Sequence, residues 1–170
     1  DFRDHLQQLD DEIESFRFTP INEWKPRWNG WVGFFKLVQE KLAEGEWNYV
    51  PTVSGGFMCI HWHHSNPTPE EPDFELYLQL EEAKLCFKIQ VLDVKQQAVQ
   101  WEKWHKRLKE ASEDLSFHFK RPARRKNGNW MTVGFNEEYL QKQSGGLLDI
   151  DATVAVLKKA EEVLKTAAKN

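Results

Sequence analysis

A chain of 170 residues, 40% hydrophobic and 29% charged, is long enough to bury the core of one domain and too apolar to be intrinsically disordered. Its formal net charge of -4 excludes strong long-range attraction of the whole molecule to nucleic acid or to an anionic membrane, although a local basic patch can still act. Two cysteines do not make a disulfide scaffold, and no apolar stretch approaches the ~20 residues of a membrane-spanning helix. We therefore expect a cytoplasmic protein with no membrane partner.

The first part of the chain predicts two helices. Apolar residues recur at the helical spacing of three and four in the sequence Phe2, Leu6, Leu9, Ile13, Phe16. Thr19-Pro20 ends this helix, and a second one is expected to begin near Pro26. Its apolar stripe is Trp28, Trp31, Phe35, Val38 and Leu42.

The period then changes to two, which predicts strands at residues 47–50 and 57–64. Residues 73–80 and 85–91 alternate most regularly and are joined by a tight turn at Glu82-Ala83. A third helix is expected at residues 95–112, followed by a pair of short strands, one through Leu115, Phe117 and Phe119 and one at residues 131–135. Asp149 or Asp151 begins a last helix as its N-cap.

This order of elements predicts an α+β fold. Strands that come in hairpins favour an antiparallel sheet, here of about five to six strands, with helices packed mainly on one face. No repeat or long linker divides the chain, so residues 1–170 are expected to form a single domain. The helical pattern is already running at Asp1, which favours a C-terminal fragment of a larger protein.

Five cations cluster in the loop before the last predicted strand, and we call them the basic loop: Lys120, Arg121, Arg124, Arg125 and Lys126. Such side chains bind nucleic-acid phosphates without reading sequence. The alternative is a solvated loop that pairs with acidic residues of the first helix.

The outer face of the predicted sheet is the second candidate interface. It carries rings and cations, among them Tyr77, Lys88 and Trp130. Such a face can stack and hold unpaired bases. It can equally dock onto another domain, which the fragment-like start of the chain favours.

Cys59, His61 and His63 occupy alternate positions of one strand and so share a face. Thiolate and imidazole suit zinc or copper, but neighbouring members lie ~6.6 Å apart along a strand, and a ligand from elsewhere would be needed. The alternative, which we favour, is the polar face of a sheet, with no metal or cofactor.

Pro72-Asp73 and Glu82-Ala83-Lys84 spell the letters of a PD…ExK nuclease motif. In that chemistry the carboxylates hold a divalent ion and the lysine assists. Here a strand of nine residues would place Asp73 and Glu82 ~30 Å apart. We expect no catalytic residue and no nuclease activity from this chain alone.

Several stretches nevertheless resemble the C-terminal portion of bacterial proteins of the PD-(D/E)XK nuclease superfamily. They are the opening Asp1-Phe2-x-x-His5-Leu6-x-x-Leu9, the strand pair around residues 77–80 and 85–89, and residues 129–133. The resemblance implies a non-catalytic accessory domain whose partner is the N-terminal catalytic-type domain of the same protein, itself a candidate nuclease, and which assists binding of DNA or RNA. The alternative is a protein-interaction or ligand-sensing module with no nucleic-acid role.

Overall fold

The computed structural model of the protein describes residues 1–42, 45–51, 55–71 and 73–169. In this part of the chain one sheet of five strands is combined with four α-helices. In chain order they are α1 Phe2–Glu14, α2 Gly30–Leu42, β1 Glu46–Val50, β2 Phe57–Ser65, β3 Phe74–Leu80, β4 Leu85–Val91, α3 Gln97–Asp114, β5 Trp130–Asn136 and α4 Ile150–Lys169. None of these helices has the length and the apolar character that crossing a membrane requires.

The five strands lie side by side in sequence order, each antiparallel to the next, which confirms the predicted α+β class. The hairpin of β3 and β4 follows its alternation without a slip, from Phe74 opposite Val91 to Leu80 opposite Leu85. Its turn is closed by a hydrogen bond from the Glu81 N–H to the Lys84 carbonyl, 2.9 Å long.

Helices α2, α3 and α4 cover one face of the sheet, and the core lies between them. Phe74 of β3 stacks on Trp104 of α3 with ring centroids 5.3 Å apart, and the indole of Trp62 donates to Glu161 of α4 at 2.9 Å. The side chains predicted to face inward from the sheet region are all buried: Phe74, Leu76, Leu78, Phe87, Ile89 and Phe117.

The segment 115–119 is not the strand that its alternation predicted. Leu115 caps α3, and Ser116 adopts a left-handed backbone conformation (φ 51°) that turns the chain away from the helix. Phe117 and Phe119 then both pack on Phe87. Regular pairing with β5 is reduced to a single bridge at Lys120, so these apolar residues alternate for packing rather than for sheet formation.

Helix α1 exists as predicted, but its apolar stripe faces solvent. Phe2, Leu6 and Leu9 are 75%, 45% and 36% exposed, whereas Phe16, in the 3-10 turn after the helix, is buried. The periodicity therefore identified an amphipathic helix correctly and left open what its apolar side contacts.

Two predicted helix starts also have a clear outcome. Helix α2 begins at Gly30 rather than near Pro26, because Arg27 has a left-handed backbone (φ 62°) that a helix cannot contain. Helix α4 uses Asp149 rather than Asp151, since the Asp149 Oδ1 accepts the Ala152 N–H at 3.0 Å.

Candidate functional site

The outer face of the sheet, on the side away from α2, α3 and α4, carries the largest group of functional side chains. It is concave and encloses about 600 Å³ of open volume. We call this the sheet groove, and its lining includes Val50, Phe57, His61, His64, Glu75, Tyr77, Gln79, Lys88 and Trp130.

A β-bulge in β2 decides which histidines reach the groove. The register with β3 shifts between Trp62 and Ser65, and His63 has a left-handed backbone (φ 58°). His64 is thereby turned to the side of His61, and the rings meet with His61 Nδ1 2.8 Å from His64 Nε2. The predicted sharing of one face by Cys59, His61 and His63 is therefore wrong at His63.

His64 is held on two further sides. Its Nδ1 lies 2.9 Å from Glu75 Oε1, and its ring stacks on Tyr77 with centroids 4.8 Å apart and planes within 6°. Because the carboxylate accepts a proton from Nδ1, a neutral His64 accepts at Nε2 from His61 Nδ1–H. The remaining nitrogen of His61, Nε2, is then an acceptor in the groove.

Burial is the main reason that the pKa of His61 lies below its usual value, and the neighbouring His64 lowers it further against the opposing effect of Glu46 and Glu75. His61 is therefore neutral at pH 7. The groove wall formed by these two rings offers hydrogen bonds rather than charge at that pH.

The proposed metal ligands are not arranged as ligands. Burial raises the pKa of the Cys59 thiol to about 11, so the thiolate that binds metal is disfavoured. The facing nitrogens of His61 and His64 bond to each other. Within the described residues, the group of three that comes close enough to hold an ion is the exposed set His118, Glu137 and Glu138, where Glu137 is already paired with Lys120.

Lys88 of β4 lies in the floor of the groove, directly opposite Tyr77. Its ammonium donates to Thr132 Oγ1 at 3.2 Å and forms no ion pair with any described residue. Burial is the main cause that lowers its pKa. The sequence placed Lys88 on this face but gave no sign that it lacks a counter-charge.

The two predicted stacking rings differ in accessibility. Tyr77 is only 6% exposed, and His64 already covers one side of its ring, so it supports the groove rather than offering a free face. Trp130 is 61% exposed and has no ring partner among the described residues. Of the two, Trp130 is the ring that an incoming planar group can reach.

A second depression adjoins the groove, and we call it the basic cleft. It is about 410 Å³ in volume and includes Lys84, Lys88, Arg124, Lys126, Trp130, Thr132 and Phe135. Lys88 and Trp130 line both depressions, so groove and cleft form one continuous surface across the outer face.

The structure separates the five cations of the basic loop. Lys120 pairs with Glu137, and Arg121 pairs with Glu102 at 3.1 Å while its guanidinium lies 4.8 Å above the ring of Trp101. The Arg125 Nε donates to Asn127 Oδ1 at 3.0 Å.

Arg124 and Lys126 are exposed, line the basic cleft and form no ion pair with a described residue. They are therefore the two cations of the loop best placed to contact a ligand on the outer face.

The letters of the nuclease motif do not come together. Asp73 lies immediately before β3, and Glu82 lies in the turn at the other end of this unbroken strand. Glu82 instead accepts the Arg27 N–H, at 3.1 Å to each carboxylate oxygen. Pro72 is outside the described residues.

No family model matches the chain, and neither a curated protein nor a solved structure matches it. The geometry of the sheet groove and the basic cleft is therefore the basis for a functional proposal.

Proposed function

We propose that the chain is a non-catalytic accessory domain that helps to hold single-stranded nucleic acid, in a bacterial, cytoplasmic protein related to the PD-(D/E)XK nucleases. The observation that carries this proposal is the continuity of groove and cleft at Lys88 and Trp130. Proteins that bind single strands combine a cationic path for the backbone with aromatic rings on which bases stack. Both elements occur side by side on this face.

The negative net charge of the molecule is compatible with such binding. At physiological ionic strength a charge is screened beyond roughly 8 Å, so a bound phosphate responds mainly to its immediate neighbours. Those neighbours in the cleft are Lys84, Lys88, Arg124 and Lys126, against the single carboxylate of Glu81. The local surface is therefore cationic on an acidic protein.

A non-catalytic role is supported by the carboxylates of the chain. Metal-assisted cleavage needs carboxylates gathered around an ion. Asp73 and Glu82 are separated by the length of β3, while Glu75 is engaged by His64 and Glu81 by Gln79. In this proposal cleavage belongs to the N-terminal catalytic-type domain of the same protein, and the present domain positions the strand.

Fluorescence anisotropy with a labelled single-stranded oligonucleotide, at about 50 mM and about 200 mM salt, tests the proposal. Replacing Arg124 and Lys126 together by alanine should weaken binding and reduce the salt slope by about 2, one unit for each lost phosphate contact. The matched control is the double alanine variant of Lys158 and Lys169, exposed cations on α4, which removes the same charge elsewhere. Equal losses in both variants would show that the cleft is not the interface.

The alternative, a protein-interaction module, is favoured by the exposed apolar stripe of α1, formed by Phe2, Leu6 and Leu9. An apolar helix face binds another apolar surface and has no use for phosphate. If no oligonucleotide binds even at low salt, this alternative replaces the nucleic-acid proposal.

A further inference from the structure

Lys88 is a cation without a counter-charge in a place where water solvates it poorly. Its side chain is half-buried in the floor of the groove, and its hydrogen-bond partner, Thr132, is neutral. The carboxylates nearest to it on this face are committed elsewhere, Glu75 to His64 and Glu81 to Gln79 and Cys86. An ammonium in this position is stabilised when an anion enters the groove.

The ring that lies next to this cation is free. In the register of β4 and β5, Lys88 is opposite Thr132 and Gln90 is opposite Trp130, so Trp130 is a diagonal neighbour of Lys88 on the same face. Diagonal neighbours of this kind lie ~7–8 Å apart. A planar ring on Trp130 and an anion on Lys88 would thus belong to one ligand of modest size.

We propose that the sheet groove binds one nucleotide, with its phosphate on Lys88 and its base stacked on Trp130. The inference rests on the proposed function for the choice of a nucleotide among aromatic anions, and it names the unit of the ligand that the groove itself takes. The volume of about 600 Å³ is within the range of ~300–1,000 Å³ that small-molecule sites occupy.

The rest of the groove suits the other parts of a nucleotide. His61 presents a neutral ring nitrogen, and Gln79 lies directly opposite it in the register of β2 and β3. Val50 and Phe57 close the far end with apolar surface. Hydrogen-bonding groups beside apolar walls are the usual environment of a bound base.

Nuclear magnetic resonance of the tryptophan indole N–H groups gives a direct readout, and Trp130→Phe assigns the Trp130 signal. The probes are the four nucleoside 5′-monophosphates, the matching nucleosides, inorganic phosphate and a single-stranded oligonucleotide. The monophosphates should shift the Trp130 signal and bind at least about tenfold more tightly than their nucleosides, because a charge-assisted bond is lost with the phosphate.

Lys88→Met keeps the length of the side chain and removes the charge, and it should weaken monophosphate binding about ten- to a hundredfold. Lys88→Arg retains the charge and should preserve the preference for the phosphorylated form. The matched control is Lys84→Met, a cation of the cleft that lies over the ring of Phe135, where affinity should stay within about twofold. Amide spectra of each variant report whether the sheet is intact.

The possible outcomes separate this inference from the proposed function. Oligonucleotide binding that depends on Arg124 and Lys126 but not on Lys88 overturns the inference and leaves the proposed function standing. Monophosphate binding that depends on Lys88, without oligonucleotide binding, supports the inference and removes the proposed function.

When both ligands depend on Lys88, the tighter one shows whether the nucleotide is free or part of a strand. Inorganic phosphate that binds as tightly as the monophosphates would overturn the role of Trp130, and with it the nucleotide.

Discussion

Replacing Phe87 by alanine probes whether the inner face of the sheet is the core of the molecule. Phe87 is fully buried in β4, with its ring centroid 5.8 Å from that of Phe117 and 5.4 Å from that of Phe119. Truncation of a buried phenylalanine costs roughly 3–5 kcal/mol, more where the surroundings cannot collapse into the space. The Phe119 ring is fixed against Gly134, where a Cβ would overlap it, so we expect about 4–5 kcal/mol.

Urea unfolding followed by far-UV circular dichroism measures this loss in the free energy of unfolding. For a domain of this size it corresponds to a fall in Tm of roughly 8–20 °C, at about 2–4 °C per kcal/mol. Val99→Ala, at a position of α3 that is 62% exposed, is the control and should change stability by less than about 0.5 kcal/mol. A loss below about 1 kcal/mol for Phe87→Ala would refute the core described above.

Three further outcomes are expected. Lys88→Met should raise the Tm of the ligand-free protein in thermal unfolding, because burial disfavours the ammonium; an unchanged or lower Tm would contradict this. The free energy of unfolding should decline as the pH falls below about 6.5, since the lowered pKa of His61 lets the unfolded chain bind the proton first, and part of this decline should disappear in His61→Gln. Purified protein incubated with DNA or RNA and Mg²⁺ or Mn²⁺ should show no cleavage; cleavage abolished by both Asp73→Ala and Glu82→Ala would sink the accessory-domain proposal.

The elements that the sequence predicts well are those whose pattern is set by local contacts. The alternation of β3 and β4 and the short turn between them suffice to fix their pairing, because neighbouring strands bury the same face. The pattern of residues 115–119 looks similar, but no periodicity can tell apolar side chains that pair in a sheet from those that only pack beneath it. The exposed stripe of α1 has the same origin, since a period identifies a face and not its partner.

The site was less predictable because it depends on backbone detail and on distant partners. The bulge at His63 requires a left-handed residue that is not glycine, and the only hint in the sequence is the adjacent pair His63-His64. Arg121 and Arg124 are equivalent cations in the sequence. They differ in the fold because Glu102 of α3 reaches only Arg121.

The order of the strands has a consequence for how the groove comes into being. Because each strand pairs with its predecessor, the sheet can grow outward from the β3–β4 hairpin by short steps as far as β1. The addition of β5 is different, since α3 must first be made and folded back between β4 and β5. Lys88 is in place early, whereas Trp130 arrives with the last strand. The two halves of the nucleotide site are thus united only at the end of folding, so a partly folded chain presents the cation without the ring.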